Sequence, residues 1–130
     1  MIKMMSQDDQ FVWILPKEKR MPYKPYPEYL EHNGEWIIYG EKNFIEDLGS
    51  KMLILVGKDG ILQAKFTRNP ALKVHEGFDL GKSYALIVYC DDRNRDSVKR
   101  KLQDSLGVDK MLWKYDRETI EETMKSKVHD

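Results

Sequence analysis

Hydrophobic and polar residues follow two different periods along the chain, and these periods predict strands and helices in alternation. Residues 61–67 alternate between apolar and polar from Leu62 onward, which is typical of a strand that is buried on one face. Between residues 42 and 57 the apolar positions instead recur every three or four residues, which indicates an amphipathic helix. Gly57 is predicted to stop that helix before the strand begins.

Short apolar runs predict the remaining strands. Residues 11–15 are aromatic and β-branched and are closed by Pro16, which favours a strand at the edge of a sheet. Residues 84–90 are almost entirely apolar, which is typical of a central strand. Strands are also predicted at residues 35–39 and 110–115.

Two further helices are predicted in the second half of the chain. One follows a polar turn at residues 91–96, is capped by Asp96 or Ser97, and ends at Gly107. The other covers residues 117–127. The elements follow the order β-α-β-β-α-β with an added first strand and last helix, which fits a split-βαβ domain. We therefore predict a two-layer α+β fold, in which two or three helices back one face of a mainly antiparallel sheet.

The rest of the chain is predicted to lack helices and strands. Four prolines in residues 16–34 forbid an ordinary helix, so this segment is predicted to be an extended arm packed on the domain. Its tyrosines serve either packing or recognition. Residues 33–34 are predicted to form a turn, residues 68–83 a loop, and residues 1–10 a flexible tail. A chain of 130 residues has the usual size of one domain, so residues 1–130 are predicted to form a single domain.

Charge and cysteine content narrow the classes of function. The 22 basic and 22 acidic residues give zero net charge, so no global attraction to nucleic acid or membrane is expected. No apolar stretch reaches the roughly 18 residues that a membrane span needs. The single cysteine, Cys90, ends an apolar run, which favours a buried thiol over a nucleophile and indicates a reducing compartment. We therefore predict a cytoplasmic protein with no membrane partner.

The sequence contains no motif for metal or cofactor chemistry. His32, His75 and His129 are not spaced with cysteine or acidic residues as a zinc site requires. A glycine-rich phosphate loop and a dinucleotide fingerprint are both missing. We therefore predict no cofactor and no metal. The adjacent aspartates at residues 91–92 could hold a hard cation or form a solvated turn.

Basic residues near the ends of strands form the candidate binding site. Lys65 lies on the polar side of its strand, Arg68 follows that strand, and Lys114 lies near the end of a later one. If these residues converge, they form an anion pocket to which Thr119 adds a hydroxyl; otherwise they are ordinary surface charges. Trp36 would supply a ring for stacking on a base, although core packing also explains all three tryptophans.

Short motifs resemble the basophilic-leukaemia-expressed protein family and occur in the same order as in that family. Residues 34–39, GEWIIY, are similar to its GKWLIF strand, and residues 113–119, WKYDRET, are similar to its YK-x-D-x-x-T motif. Further similarity is found at residues 60–65, 84–90 and 106–107.

The resemblance implies a fold like that of the cap-binding translation initiation factor. That fold is a curved antiparallel sheet backed by helices, and its concave face holds a nucleotide. Recognition of a cap is not implied, because Trp36 corresponds to a strand tryptophan of the family and not to the loop tryptophans that hold a cap. Trp113 and Tyr115 depart from the family pattern, in which these positions have a tyrosine and a small residue.

Three functions are compatible with these features. The first is binding of a phosphate-bearing ligand, a nucleotide or an RNA end, on the concave face of the sheet. The second is an enzyme that acts on a phosphorylated substrate, with Lys65 or Lys114 as base and His75 as acid. The third is a protein-interaction module that uses the tyrosine arm. The sequence leaves the oligomeric state open.

Overall fold

The computed structural model describes residues 4–7, 10–16, 31–69 and 84–118. The strands are β1 (Met4–Gln7), β2 (Phe11–Leu15), β3 (Asn33–Gly40), β4 (Gln63–Thr67), β5 (Tyr84–Asp91) and β6 (Leu112–Tyr115). The helices are α1 (Lys42–Leu55) and α2 (Arg95–Leu106), and a 3₁₀ helix (Asp92–Asn94) joins β5 to α2.

One sheet contains all of these strands in the order β1-β2-β4-β5-β3-β6, and every neighbouring pair is antiparallel. Helix α1 connects β3 to β4, and β5 lies between these two strands. This is the split-βαβ arrangement that the order of elements predicts. The predicted α+β fold, an antiparallel sheet with helices packed against it, is confirmed.

The hydrophobic core lies between the helices and one face of the sheet, which we call the helix-side face. Ile14, Ala64, Val88 and Trp36 stand side by side across four strands of this face and are buried. Buried residues from both helices belong to the same core cluster, and these are Ile45, Leu48, Met52, Leu55, Val98, Leu102 and Leu106. Since each fully buried aliphatic side chain contributes about 1.5–3 kcal/mol, this layer holds the helices on the sheet.

Alternate residues of each strand point to the other side of the sheet, which we call the opposite face. Its centre is also shielded from solvent, because Glu35 and Ile37 of β3 are each 5% exposed. Three further buried polar residues, Asn33, Thr67 and Asp91, lie on this face. The hydroxyl oxygen of Thr67 accepts a hydrogen bond of 3.0 Å from the backbone N–H of Ala85. Both faces of the sheet therefore have buried residues at their centre, and the opposite face differs in that several of its buried residues are polar.

Helix α1 ends as its pattern predicts. Val56 is its C-cap residue and Gly57 follows with a φ of +88°, a conformation that favours glycine. Gly49 lies in the middle of this helix because a larger residue would collide with the sheet. A Cβ atom at Gly49 would lie 2.5 Å from the ring of Phe66.

The start of α2 differs from the predicted cap at Asp96 or Ser97. A 3₁₀ helix precedes α2, and the carboxylate of Asp91 caps that helix by accepting a hydrogen bond from the backbone N–H of Arg93. Asp91 is only 5% exposed, so it does not belong to a solvated turn. Gly107 ends α2 in the left-handed conformation, as predicted.

Two predictions about the first half of the chain are wrong. Residues 4–7 form the outermost strand and not a flexible tail, so β2 is an inner strand and not an edge strand. Asn33 and Gly34 begin β3 and do not form a turn, because they pair with Asp91 and Cys90 of β5.

Several predicted segments lie outside the described residues. These are most of the proline- and tyrosine-rich arm, most of the loop at 68–83, and the last predicted helix beyond residue 118. Residues 116–118 are helical, in agreement with a helix that begins after β6. No helix in the described part of the chain is both long and apolar enough to cross a membrane.

Candidate functional site

The register of the sheet places Lys65 and Lys114 on the same face. Lys65 of β4 stands opposite Ile87 of β5, which stands opposite Ile37 of β3, which stands opposite Leu112 of β6. Residues directly opposite each other point to the same side of a sheet. Lys114 is two positions after Leu112, so it also points to the opposite face.

The two lysines do not converge on one ligand atom. Their strands are separated by β5 and β3, and they differ by two residues in register. Three strand spacings of about 4.8 Å and an offset of about 7 Å place their Cα atoms roughly 16 Å apart. Lys114 also stands directly opposite the buried, acidic Glu35, and opposite charges at paired positions of neighbouring strands attract each other. Of the two alternatives that the sequence leaves open for these lysines, the register favours separate charges over a shared anion pocket.

Aromatic rings surround the ammonium group of Lys65. Its Nζ atom lies 3.9 Å from the centroid of the Phe11 ring, 4.6 Å from that of Trp13 and 5.8 Å from that of Tyr89. All three distances fall within the range of a cation–π interaction. We call these four residues the Lys65 cluster.

The strands dictate this arrangement. Trp13 of β2 is directly opposite Lys65, and Phe11 lies two positions earlier on the same strand. Tyr89 lies two positions after Ile87, the partner of Lys65 in β5. The Trp13 and Tyr89 rings are nearly parallel, with centroids 6.2 Å apart, and Phe11 meets Trp13 edge-on at 6.1 Å. Every member of the cluster is half-buried, so each of these residues retains some contact with solvent.

The other predicted site residues are scattered. Arg68 is exposed and directly follows β4, next to the Phe11–Thr67 pair at one end of the Lys65 cluster. Its backbone N–H donates to the carbonyl oxygen of Gln10 at 2.8 Å. Thr119 lies outside the described residues.

Trp36 lies on the helix-side face, away from both lysines. It is 5% exposed, its indole Nε1 donates to the carbonyl oxygen of Arg95 at 3.0 Å, and its ring meets Trp113 edge-on at 5.3 Å. The ammonium of Lys99 lies 5.2 Å from the Trp36 ring. Trp36 is therefore a core residue, which is the packing alternative for this tryptophan, and its buried ring is not placed to stack on a base beside Lys65.

A second polar cluster forms where β5 ends. Nδ1 of His32 lies 2.9 Å from Oδ1 of Asp92, and the hydroxyl of Tyr115 donates to Oδ2 of Asp92 at 3.0 Å. The guanidinium of Arg93 donates to both carboxylate oxygens of Asp91, at 2.8 and 2.6 Å. This cluster ties β5, β6 and the residue before β3 together.

The same cluster has the residue types of a metal site. Potential ligand atoms of His32, Asp91 and Asp92 lie within 4.8 Å of one another. However, the oxygens of Asp91 already accept from Arg93, and those of Asp92 contact His32 and Tyr115. The cation that neutralises Asp91 is thus the guanidinium of Arg93, and the geometry favours a structural role.

Two groups near this end of the sheet have shifted pKa values. Burial raises the pKa of the Cys90 thiol to about 12, and the nearby carboxylates of Asp91, Asp116 and Asp92 act in the same direction. Cys90 is therefore a buried, protonated thiol, as its sequence context indicates. Burial, followed by the hydrogen bond to Asp92, raises the pKa of the Tyr115 hydroxyl.

An open pocket of about 340 Å³ lies at the other end of β3, away from both clusters. Among the described residues it is lined by Tyr39, Gly40, Glu41 and Phe44. None of these four carries a positive charge, so they offer no cation to a phosphate group.

The sequence contains a partial signal for the Lys65 cluster. Phe11 and Trp13 are two positions apart in a run that the sequence predicts to be a strand, so they must share a face. The residues that lie beside them on neighbouring strands depend on the strand order, and the pattern of one strand does not predict that order. The contact of His32 with Asp92 joins residues 60 positions apart, and no local pattern indicates it.

Two comparisons with known proteins bear on the family. No model of a known protein family matches the chain, and no curated protein matches it. Membership of the basophilic-leukaemia-expressed protein family therefore stays a prediction.

Proposed function

We propose that the protein binds a nucleotide or the end of an RNA chain at the Lys65 cluster. The observation that carries the proposal is the position of an ammonium group within 3.9–5.8 Å of the centres of three half-buried aromatic rings. Proteins that bind nucleic acid on a sheet commonly combine aromatic rings, which stack on bases, with basic side chains, which contact phosphates. The predicted resemblance to a fold that holds a nucleotide on its sheet favours the same ligand class.

Each part of the cluster has a distinct role in this proposal. A base stacks on a ring of the cluster, and alanine substitution of such a ring removes about 1–3 kcal/mol of binding free energy. Lys65 contacts the phosphate group, and a hydrogen bond to a charged group contributes about 1.5–3 kcal/mol. Arg68 directly follows β4, three positions after Lys65 and next to the Phe11–Thr67 pair, and in this proposal its long side chain reaches round the end of the strand to supply a second cation.

Two of the residues that the sequence offers lie outside the proposed site. Lys114 stands across from Glu35 on the edge strand β6, three strand positions from β4 on the same face of the sheet. Trp36 belongs to the core between sheet and helices. Neither residue takes part in the proposed contacts, which narrows the predicted site to one half of the sheet.

Binding is tested by titration of the protein with the four ribonucleoside 5′-monophosphates, followed by isothermal calorimetry and tryptophan fluorescence. We expect Arg68→Ala to weaken binding about tenfold or more, as the loss of a charged hydrogen bond of about 1.5 kcal/mol or more does. Arg100→Ala is the matched control, because Arg100 is an exposed arginine on α2, and it should bind as the wild type does. Trp13→Ala should remove both the fluorescence response and most of the affinity.

The outcome that rejects the proposal is equally specific. Failure of all four monophosphates to bind the wild-type protein at millimolar concentration would reject it. Equal loss of affinity in Arg68→Ala and Arg100→Ala would move the site away from the Lys65 cluster.

A further inference from the structure

The ammonium of Lys65 occupies space that a stacked base would need. Its Nζ atom lies 3.9 Å from the centre of the Phe11 ring and 4.6 Å from that of Trp13. Atoms in van der Waals contact are about 3.5–4.0 Å apart, so a base stacked on Phe11 would lie at the height where the ammonium now lies. A base and the ammonium therefore compete for the same ring face.

A nucleoside and a nucleotide differ in what they offer to the displaced ammonium group. An uncharged nucleoside that displaces the ammonium removes its cation–π contacts and offers no anion in return. A nucleotide that displaces it offers a phosphate, to which the flexible four-carbon stem of the lysine lets the ammonium move. Only the nucleotide then replaces the lost contact with a stronger one.

We propose that Lys65 is a specificity-determining residue, which makes the Lys65 cluster select phosphate-bearing nucleotides over uncharged nucleosides. The residue excludes a nucleoside by covering the rings, and it retains a nucleotide by contacting its phosphate. This inference rests on the proposed function, because it assumes that the rings bind a base.

The position of Lys65 in the sheet suits a side chain with two conformations, one over the rings and one in contact with a bound phosphate. Its backbone is fixed between β2 and β5, where it stands opposite Trp13 and Ile87. Its ammonium lies toward β2, above the rings of Phe11 and Trp13. Because the strand is held on both sides, a change of ligand moves the lysine stem and leaves the rings in place.

Two substitutions separate the two roles of Lys65. Lys65→Thr keeps a residue suited to a strand but uncovers the rings and removes the cation. Lys65→Met removes the cation but keeps an unbranched stem whose sulfur packs well against aromatic rings. The threonine variant therefore opens the ring face, and the methionine variant keeps it covered without a charge.

The experiment is a calorimetric titration of wild type and both variants with a nucleoside and its 5′-monophosphate, for example adenosine and adenosine monophosphate. We expect adenosine to bind Lys65→Thr about two to thirty times more tightly than wild type, the range of a removed cation–π contact. Adenosine should bind Lys65→Met within about twofold of wild type, since the face stays covered. The preference for the monophosphate should fall about tenfold or more in both variants.

The outcomes distinguish this inference from the proposed function. If wild type binds none of the four ribonucleoside monophosphates, the proposed function fails and the inference fails with it. If wild type binds the monophosphate but adenosine binds Lys65→Thr no more tightly than wild type, the proposed function stands and only the inference is rejected. Equal gains for adenosine in the threonine and methionine variants would also reject it. Thermal unfolding of both variants checks that they are folded.

Discussion

At the scale of single residues, Gly49 shows how packing overrides helix propensity. A glycine inside a helix costs about 1 kcal/mol relative to alanine, and α1 nevertheless has one at its centre. The ring of Phe66 from β4 lies against it, 2.5 Å from where a Cβ atom would be. The glycine lets helix and sheet approach closely, which no property of the helix sequence alone explains.

Gly49→Ala should therefore destabilise the protein despite the better helix former. We expect the free energy of unfolding to fall by about 1–2 kcal/mol, because overpacking a core costs about 1–3 kcal/mol and propensity returns only part of it. Urea denaturation followed by circular dichroism measures the change. The control is Ser50→Ala, an exposed neighbour in the same helix, which should not lose stability. Adding Phe66→Leu to Gly49→Ala should recover part of the loss, and a stabilising effect of Gly49→Ala would contradict the packing argument.

At the scale of elements, Asp92 adds side-chain bonds between three parts of the chain whose strands are already neighbours in the sheet. It belongs to the 3₁₀ helix and contacts His32, just before β3, and Tyr115, at the end of β6. Strand β6 has only four residues and lies at the edge of the sheet. A side-chain bond at its end therefore adds an anchor that a short edge strand needs.

A double-mutant cycle of Asp92→Ala and Tyr115→Phe tests this anchor. We expect each change alone to lower the free energy of unfolding and a coupling of about 0.5–1.5 kcal/mol between them. A coupling of zero would mean that the bond does not stabilise β6.

The raised pKa of Tyr115 means that the folded state favours the protonated hydroxyl. The stability that it contributes is complete below the pKa of an unfolded tyrosine, about 10, and is lost as pH rises above that value. Tyr115→Phe should remove this loss.

At the scale of the whole molecule, Cys90 reports on unfolding of the domain. It lies in the central strand β5, has no exposed surface, and its pKa is raised to about 12. A thiol reacts as its thiolate, so native Cys90 is both covered and protonated at pH 8. Reaction requires that the strand leave the sheet.

Labelling of Cys90 with a disulfide reagent at pH 8 should therefore be slow in buffer and fast in denaturing urea. Rapid labelling in buffer at the rate of an unfolded peptide would show that β5 is not protected.

The raised pKa of Cys90 also makes stability depend on pH. The protonated thiol stabilises the fold fully below pH 9.0, the pKa of the thiol in the unfolded chain, and this contribution is lost as pH rises toward about 12. Cys90→Ala should show a smaller loss of stability than wild type over that range.

The fold was more predictable from the sequence than the site was. The alternation in β4, the helical period of α1 and the left-handed Gly107 are local signals, and each predicted its element. Strand β1 has the sequence MMSQ, which contains no alternation that would indicate a strand. The separation of Lys65 from Lys114 depends on strand order, which arises from packing of the whole chain. The rings around Lys65 depend on strand order in the same way, because they belong to β2 and β5, the two strands that flank β4.

The late position of β5 in the chain has a consequence for biosynthesis. Strands β3 and β4 both leave the ribosome before the strand that pairs with each of them, because β5 ends only at Asp91. Until then the nascent polypeptide has two strand segments with unsatisfied main-chain groups, which are templates for unwanted association. Insertion of β5 between them closes both at once, so the centre of the sheet forms in a single late event of translation, and the second helix and the edge strand β6 follow.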